Sequence, residues 1–227
     1  MSRSASMAAL VLMTLVTTAR AAPATPVAKV PAAPPAAQPP AVEANQPSGF
    51  VAALKVGAVL PFTKLGVAPG VAIELGWILP VLDRALLASV ETSYAQPTAT
   101  RTVSGDARVG GDYTWNLTQR ELFIMPTLTW RFAKDRTSLA PYVGLGARIA
   151  LLESIASGTA GGQAISPTTE QSTKVGVGVP LGLEYPLGPG ALLAEALFEW
   201  GPLNHTITGA STSTMGATLR LGYRFQP

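Results

Sequence analysis

The sequence predicts an all-β protein, an eight-stranded antiparallel barrel that crosses a membrane. Three observations carry that expectation. From Phe50 to Phe225, stretch after stretch alternates apolar residues with polar residues or glycine, which is the two-residue period of a strand. Only 13% of the 227 residues are charged, too few to solvate a large soluble surface. Yet no apolar run is long enough to supply several membrane helices, whereas a membrane strand needs only every second residue to be apolar.

Composition also excludes several classes. There is no cysteine, hence no disulfide framework, thiolate metal site or lipidated cysteine. The single histidine, His205, leaves few routes to a histidine-based metal centre. Net charge is only +3 and the basic residues are scattered, so no nucleic-acid footprint appears. The glycine run Val175–Gly182 lacks phosphate-loop spacing, and no cofactor motif is found elsewhere.

Residues 1–21 read as a signal peptide. Arg3 gives a basic start, Met7 to Val16 a short apolar core, and Ala19-Arg20-Ala21 a small-x-small cleavage site. That core is shorter than the roughly 20 residues a spanning helix needs. Residues 22–49 are nearly all Ala and Pro. Proline lacks an amide donor and has a fixed φ, so this segment is expected to be a disordered, extended periplasmic spacer. The barrel is assigned to 50–227.

Eight strands are expected, each with one apolar and one polar face. In 50–60, Leu54 and Val56 oppose Lys55 and Gly57. In 71–79, Ile73, Leu75 and Trp77 oppose Glu74 and Gly76. In 85–94, Leu86, Val90 and Tyr94 oppose Ser89 and Glu91. In 120–132, Leu122, Ile124, Leu128 and Trp130 oppose Glu121, Thr127, Thr129 and Arg131. In 140–151, Val143, Leu145 and Ile149 oppose Gly144, Gly146 and Arg148. In 173–185, Val175 to Tyr185 oppose Lys174, Gly176, Gly178, Gly182 and Glu184. In 191–200, Leu192, Phe198 and Trp200 oppose Glu195 and Glu199. In 213–225, Leu219, Leu221, Tyr223 and Phe225 oppose Thr218, Arg220, Gly222 and Arg224. Pro126 and Pro180 each remove a ladder donor, so bulges are expected there.

Connections alternate in length. Residues 80–84, 133–138 and 186–190 are short, whereas 96–119, 153–172 and 201–213 read as long loops rich in Gly, Ser and Thr. Short periplasmic turns and longer outer loops have this rhythm. Facing follows from glycine, which weakens a strand and gains nothing on a solvated face. Inside an eight-stranded barrel it makes room for long side chains, so the charged, glycine-bearing face points inward.

That face carries Lys55, Arg131, Arg148, Lys174, Arg220 and Arg224 against Glu74, Glu91, Glu121, Glu184, Glu195 and Glu199. Six charges of each sign in a narrow lumen predict an ionic plug, because unpaired charges there are costly. Strand heights pair Lys55 with Glu74 and Glu195 with Arg220. Aromatic residues fall in two belts of the kind that membrane interfaces favour. Phe50, Trp77, Trp130, Phe132, Tyr185, Tyr223 and Phe225 lie at one end; Phe62, Tyr94 and Trp200 lie at the other.

The segments RFAKDRTSLAPYVGLGARIAL, VGVGVPLGLEYPLGPGALLAEALFEW and LRLGYRF resemble the small bacterial outer-membrane β-barrels of the OmpA/OmpX/OmpW-like group. The resemblance spans Phe50 to Phe225. It implies an outer-membrane location, contact with outer-membrane lipid, and a barrel-assembly signal at Tyr223 and Phe225 read by the assembly machinery. Gln226 and Pro227 follow that phenylalanine, where the group's signal ends on the aromatic itself. The implied role is structural or one of surface interaction through the outer loops. The alternatives are a narrow pore for small solutes and a lipid-modifying enzyme at the rim. For the last, His205 is the candidate base, but Thr206 and Ile207 follow it where a deacylase-like His-x-Ser spacing is required. The chain therefore reads as a non-enzyme with a solvated loop histidine.

Overall fold

The computed structural model describes residues 49–106, 111–132, 139–203, 205 and 212–227. The signal peptide expected over 1–21 and the spacer up to residue 48 lie outside the described residues, as does the short connection 133–138.

Among the described residues eleven strands are present in chain order: β1 Phe50–Pro61, β2 Ala68–Ile78, β3 Leu86–Ala95, β4 Thr98–Asp106, β5 Gly111–Arg131, β6 Ala140–Ala160, β7 Gln163–Leu187, β8 Gly190–Trp200, β9 Pro202–Leu203, β10 Thr212–Ser213 and β11 Gly216–Phe225. Eight of them form a closed antiparallel ring. β1, β2 and β3 pair in sequence, β3 pairs with β5, β5 to β8 continue, and β11 joins β8 back to β1. Closure leaves no sheet edge in the ring, the condition for strands surrounded by lipid.

Alternation fixes which side chains face out. Leu54, Ile73, Leu145, Val175 and Leu221 are exposed, whereas their neighbours Lys55, Glu74, Arg148 and Arg220 are buried inside. A wall with leucine and valine outside and lysine and glutamate inside is stable only where the outside is apolar. The inward assignment of the charged, glycine-bearing face is therefore the observed one. Both predicted aromatic belts are on the wall, with Trp77, Trp130 and Tyr185 exposed at one end and Phe62, Tyr94 and Trp200 at the other.

The long loops expected at 96–119 and 153–172 are strands instead. β5 and β6 have 21 residues each and β7 has 25, about twice the 9–11 needed to cross a membrane. Their outer halves, with β4, make a four-stranded sheet that continues past the ring at the end away from Phe50 and Phe225. Serine and threonine there support cross-strand pairs. Thr100 Oγ1 donates to Asn116 Oδ1 at 2.7 Å, and Thr102 and Thr114 hydroxyls meet at 2.9 Å. The change from apolar to polar on the outer face is abrupt. Leu122 and Leu151 are followed, one step up, by Arg120 and Glu153. Arg120 Nη1 lies 2.9 Å from Glu153 Oε2, and Gln171 Nε2 donates to Glu153 Oε1 at 2.9 Å. These hydrogen bonds, first from Gln171 and then from Arg120, hold the Glu153 carboxyl below its usual range.

The bulges expected at Pro126 and Pro180 are absent. Both prolines are paired in register on one side, to Val90 and to Leu197. On the β6 side the ladder skips two positions and resumes in the same register. The missing N–H thus faces β6, and the ladder loses pairing without slipping. Register shifts occur instead in the outer sheet, between Val103 and Asp106 and between Ala156 and Gly158.

Candidate functional site: the barrel lumen

The lower and middle lumen hold one connected polar network. Lys55 Nζ from β1 lies 2.8 Å from Glu74 on β2, 2.8 Å from Glu91 on β3 and 3.0 Å from Glu195 on β8. Arg220 of β11 closes a ring, with Nη1 at 2.7 Å from Glu91 Oε1 and Nη2 at 2.6 Å from Glu195 Oε1. Its Nε also donates to Glu195 Oε1 at 3.0 Å. Register sets this pair, since Arg220 and Glu195 are direct cross-strand partners. Such forked, charge-assisted bonds are the strong ones.

A branch runs downward from Glu74. Arg224 of β11 bonds both Glu74 oxygens, through Nη2 at 3.2 and 3.1 Å, and also bonds Glu184 of β7. Arg131 of β5 binds the other Glu184 oxygen at 2.8 and 3.0 Å. Tyr142 of β6 completes the set by donating to Glu195 Oε2 at 2.8 Å. Every strand of the ring therefore contributes at least one member. Four cations face four carboxylates, so the network carries no net charge.

Tyr142 did not figure in the expected network, although it stands two and four residues before Gly144 and Gly146 on the same face. Its place in the period-two pattern was the signal that could have found it. Glycine makes room for it as it does for the long charged residues. A Cβ on Gly182 would collide with the Tyr142 ring, and one on Gly178 would lie 2.5 Å from Met125 Sδ.

The upper lumen is built differently. Arg148 stacks on Phe123, its Cζ 3.4 Å from the ring centroid. It also pairs with Glu199 Oε1 at 3.1 Å and donates to Thr214 Oγ1 at 2.9 Å. Glu199 accepts from Thr218 Oγ1 at 3.1 Å. Glu121 is not part of the connected network; it accepts a 2.6 Å bond from Gln119 Nε2. Lys174 is half-buried on the inward face of β7. Among the described residues, no ion pair joins it to the network.

Leu203 and His205, which follow β8, point into the lumen above Arg148. Leu203 is buried against Phe123, Ala150 and Leu152. His205 is buried beside it, with Nδ1 at 2.8 Å from Ser154 Oγ and Nε2 at 2.6 Å from Ser172 Oγ. This corrects the expectation of a solvated loop histidine. Ser154 and Ser172 lie on strand segments that were read as loop, so no sequence pattern linked them to it. Burial holds the imidazole below its ordinary pKa, with nearby Glu170 opposing that shift and Lys174 reinforcing it.

No family model matches the chain, and no curated protein matches it. Solved structures do align. Neisserial surface protein A shares 20% identity, covering 79% of this chain and 98% of its own, with a TM-score of 0.46. The attachment invasion locus protein Ail of Yersinia pestis shares 15%, covering 78% and 99%, with a TM-score of 0.41. A major outer membrane protein of Thermus thermophilus shares 13%, covering 78% and 99%, with a TM-score of 0.48. The fold implied by the sequence resemblance to small outer-membrane barrels is the fold observed, an eight-stranded closed ring with an apolar wall.

Proposed function

We propose that this chain is an outer-membrane barrel whose lumen is closed by its own ion pairs and which acts structurally or by surface interaction through its outer sheet. The observation that carries the reading is the polar network with a member on every strand of the ring. A pore lined by mobile, hydrated charges conducts; one whose charges are bonded to each other across the lumen offers an ion neither water nor a free counter-charge. The second reading, a narrow pore, would require those pairs to rearrange.

The outer sheet supports the surface role. Strands that run about twice the bilayer crossing put hydrogen-bonded Thr and Asn pairs well beyond the lipid, on a scaffold stiffer than a loop. The N-terminal spacer would then lie in the periplasm. Phe225, exposed at the lower rim, would form the assembly signal with Tyr223, whose hydroxyl bonds Leu187 O at 2.9 Å. A non-enzymatic role fits the rim, where the serines beside His205 serve to hold a buried side chain.

The test is to replace residues 99–117 with a short turn. The barrel should still fold, and the protein's binding to cell or matrix surfaces should fall to background. Intact binding would place the interaction elsewhere, and swelling of barrel-loaded liposomes in small sugars would favour the pore.

A further inference from the structure

We propose that the upper lumen binds one small monovalent cation of the sodium class, held by Glu121, Glu199 and the side-chain carbonyl of Gln119. The first observation is charge. Glu121 and Glu199 are both buried, yet the one cation between them, Arg148, is paired with Glu199 and engaged with Thr214 and the Phe123 ring. Arg220, the next cation below, is committed to Glu91 and Glu195. Among the described residues Glu121 has no ion pair. A buried carboxylate left so costs several kcal/mol unless something positive joins it.

The second observation is independent of charge. Gln119 is 1% exposed, and its Oε1 has no hydrogen-bond partner among the described residues while its Nε2 donates to Glu121. Native interiors rarely leave a buried amide oxygen unanswered. The third is space. Gln119, Glu121, Arg148, Glu199, Thr63 and Thr214 line a cavity of about 10 Å³, near the minimum for one water-sized occupant. The oxygen donors suit a hard cation. One residual negative charge matches a single positive one, and the size excludes a hydrated divalent ion. The inference does not depend on whether the lower network blocks conduction.

The experiment uses the full chain refolded in detergent. Its thermal midpoint is compared in sodium chloride and in N-methylglucamine chloride at equal ionic strength, and sodium NMR line width is recorded on the wild type. The midpoint should rise by several degrees in sodium, the sodium line should broaden, and Glu121→Gln should remove both effects. Equal midpoints with no broadening in the wild type would overturn the proposal, as would a sodium response that survives in Glu121→Gln. A midpoint that follows pH, ignores sodium and loses its pH dependence in Glu121→Gln would also overturn it, by assigning the charge to a proton.

Discussion

The two levels of the lumen fill the same ring in opposite ways. Below, every carboxylate is answered by a cation on another strand, and the network Lys55–Glu91–Arg220–Glu195 closes on itself. Above, Arg148 pairs with Glu199 while Glu121 has no ion pair among the described residues, and Phe123, Leu152 and Leu203 take over the space. Where only strands surround the lumen, long charged side chains are what reaches across it. Where Leu203 and His205 enter from after β8, packing replaces charge. A connected network of ion pairs is thus a property of the lower and middle level, whereas the upper lumen holds, among the described residues, the one pair Arg148–Glu199.

The largest expected difference between the levels is in removing one carboxylate. Glu195→Gln leaves Lys55 and Arg220 short of a buried partner and should destabilise by about 3–5 kcal/mol in urea unfolding from lipid vesicles. Glu121→Gln, measured in the same way without sodium, should be neutral or stabilising. A smaller loss at Glu195 than at Glu121 would invert the comparison. Next comes the contrast between wall and lumen. Leu219→Arg faces lipid at mid-height and should cost about 2–4 kcal/mol. Equal tolerance of arginine at Leu219 and at buried Thr218 would contradict the facing.

Gly182→Ala sharpens the lower level by geometry alone. The added methyl meets the Tyr142 ring and should cost about 1–3 kcal/mol as overpacking. Gly182→Ala combined with Tyr142→Phe should then show less than additive loss. The smallest effect belongs to the upper level. His205 has its folded pKa held below the ordinary 6.5. The unfolded chain therefore binds more protons below that value, and stability present above pH 6.5 declines as pH falls toward the folded pKa. His205→Gln should flatten that part of the profile, and an unchanged profile would mean that the imidazole keeps its ordinary pKa.

Much of this was legible in the sequence. Period two with glycine opposite leucine fixes strand, facing and the inward set at once. Strand heights bring Arg220 directly opposite Glu195 and Lys55 within reach of Glu74 on a diagonal, since Glu74 itself pairs with Ala53. In the outer half of β5, Tyr113, Trp115 and Leu117 do alternate with Thr114, Asn116 and Thr118, a strand signal passed over inside a Gly- and Thr-rich stretch. The outer halves of β6 and β7 were hidden because Ser, Thr and Gly dominate there without a continuous apolar face. Nothing in such a stretch separates a solvated strand from a loop. The clasp on His205 was hidden for the same reason, since it is made by residues 33 and 51 positions away. Glu121 and Lys174 carry the inward pattern, but pattern gives facing, whereas pairing depends on shear between strands.

The central claim is that ion pairs close the lumen, and single-channel recording tests it most directly. The refolded wild type in a planar bilayer should be silent, and Glu195→Gln, which frees Lys55 and Arg220 from one partner, should show openings. Steady conductance through the wild type, unchanged in Glu195→Gln, would contradict the account and favour transport.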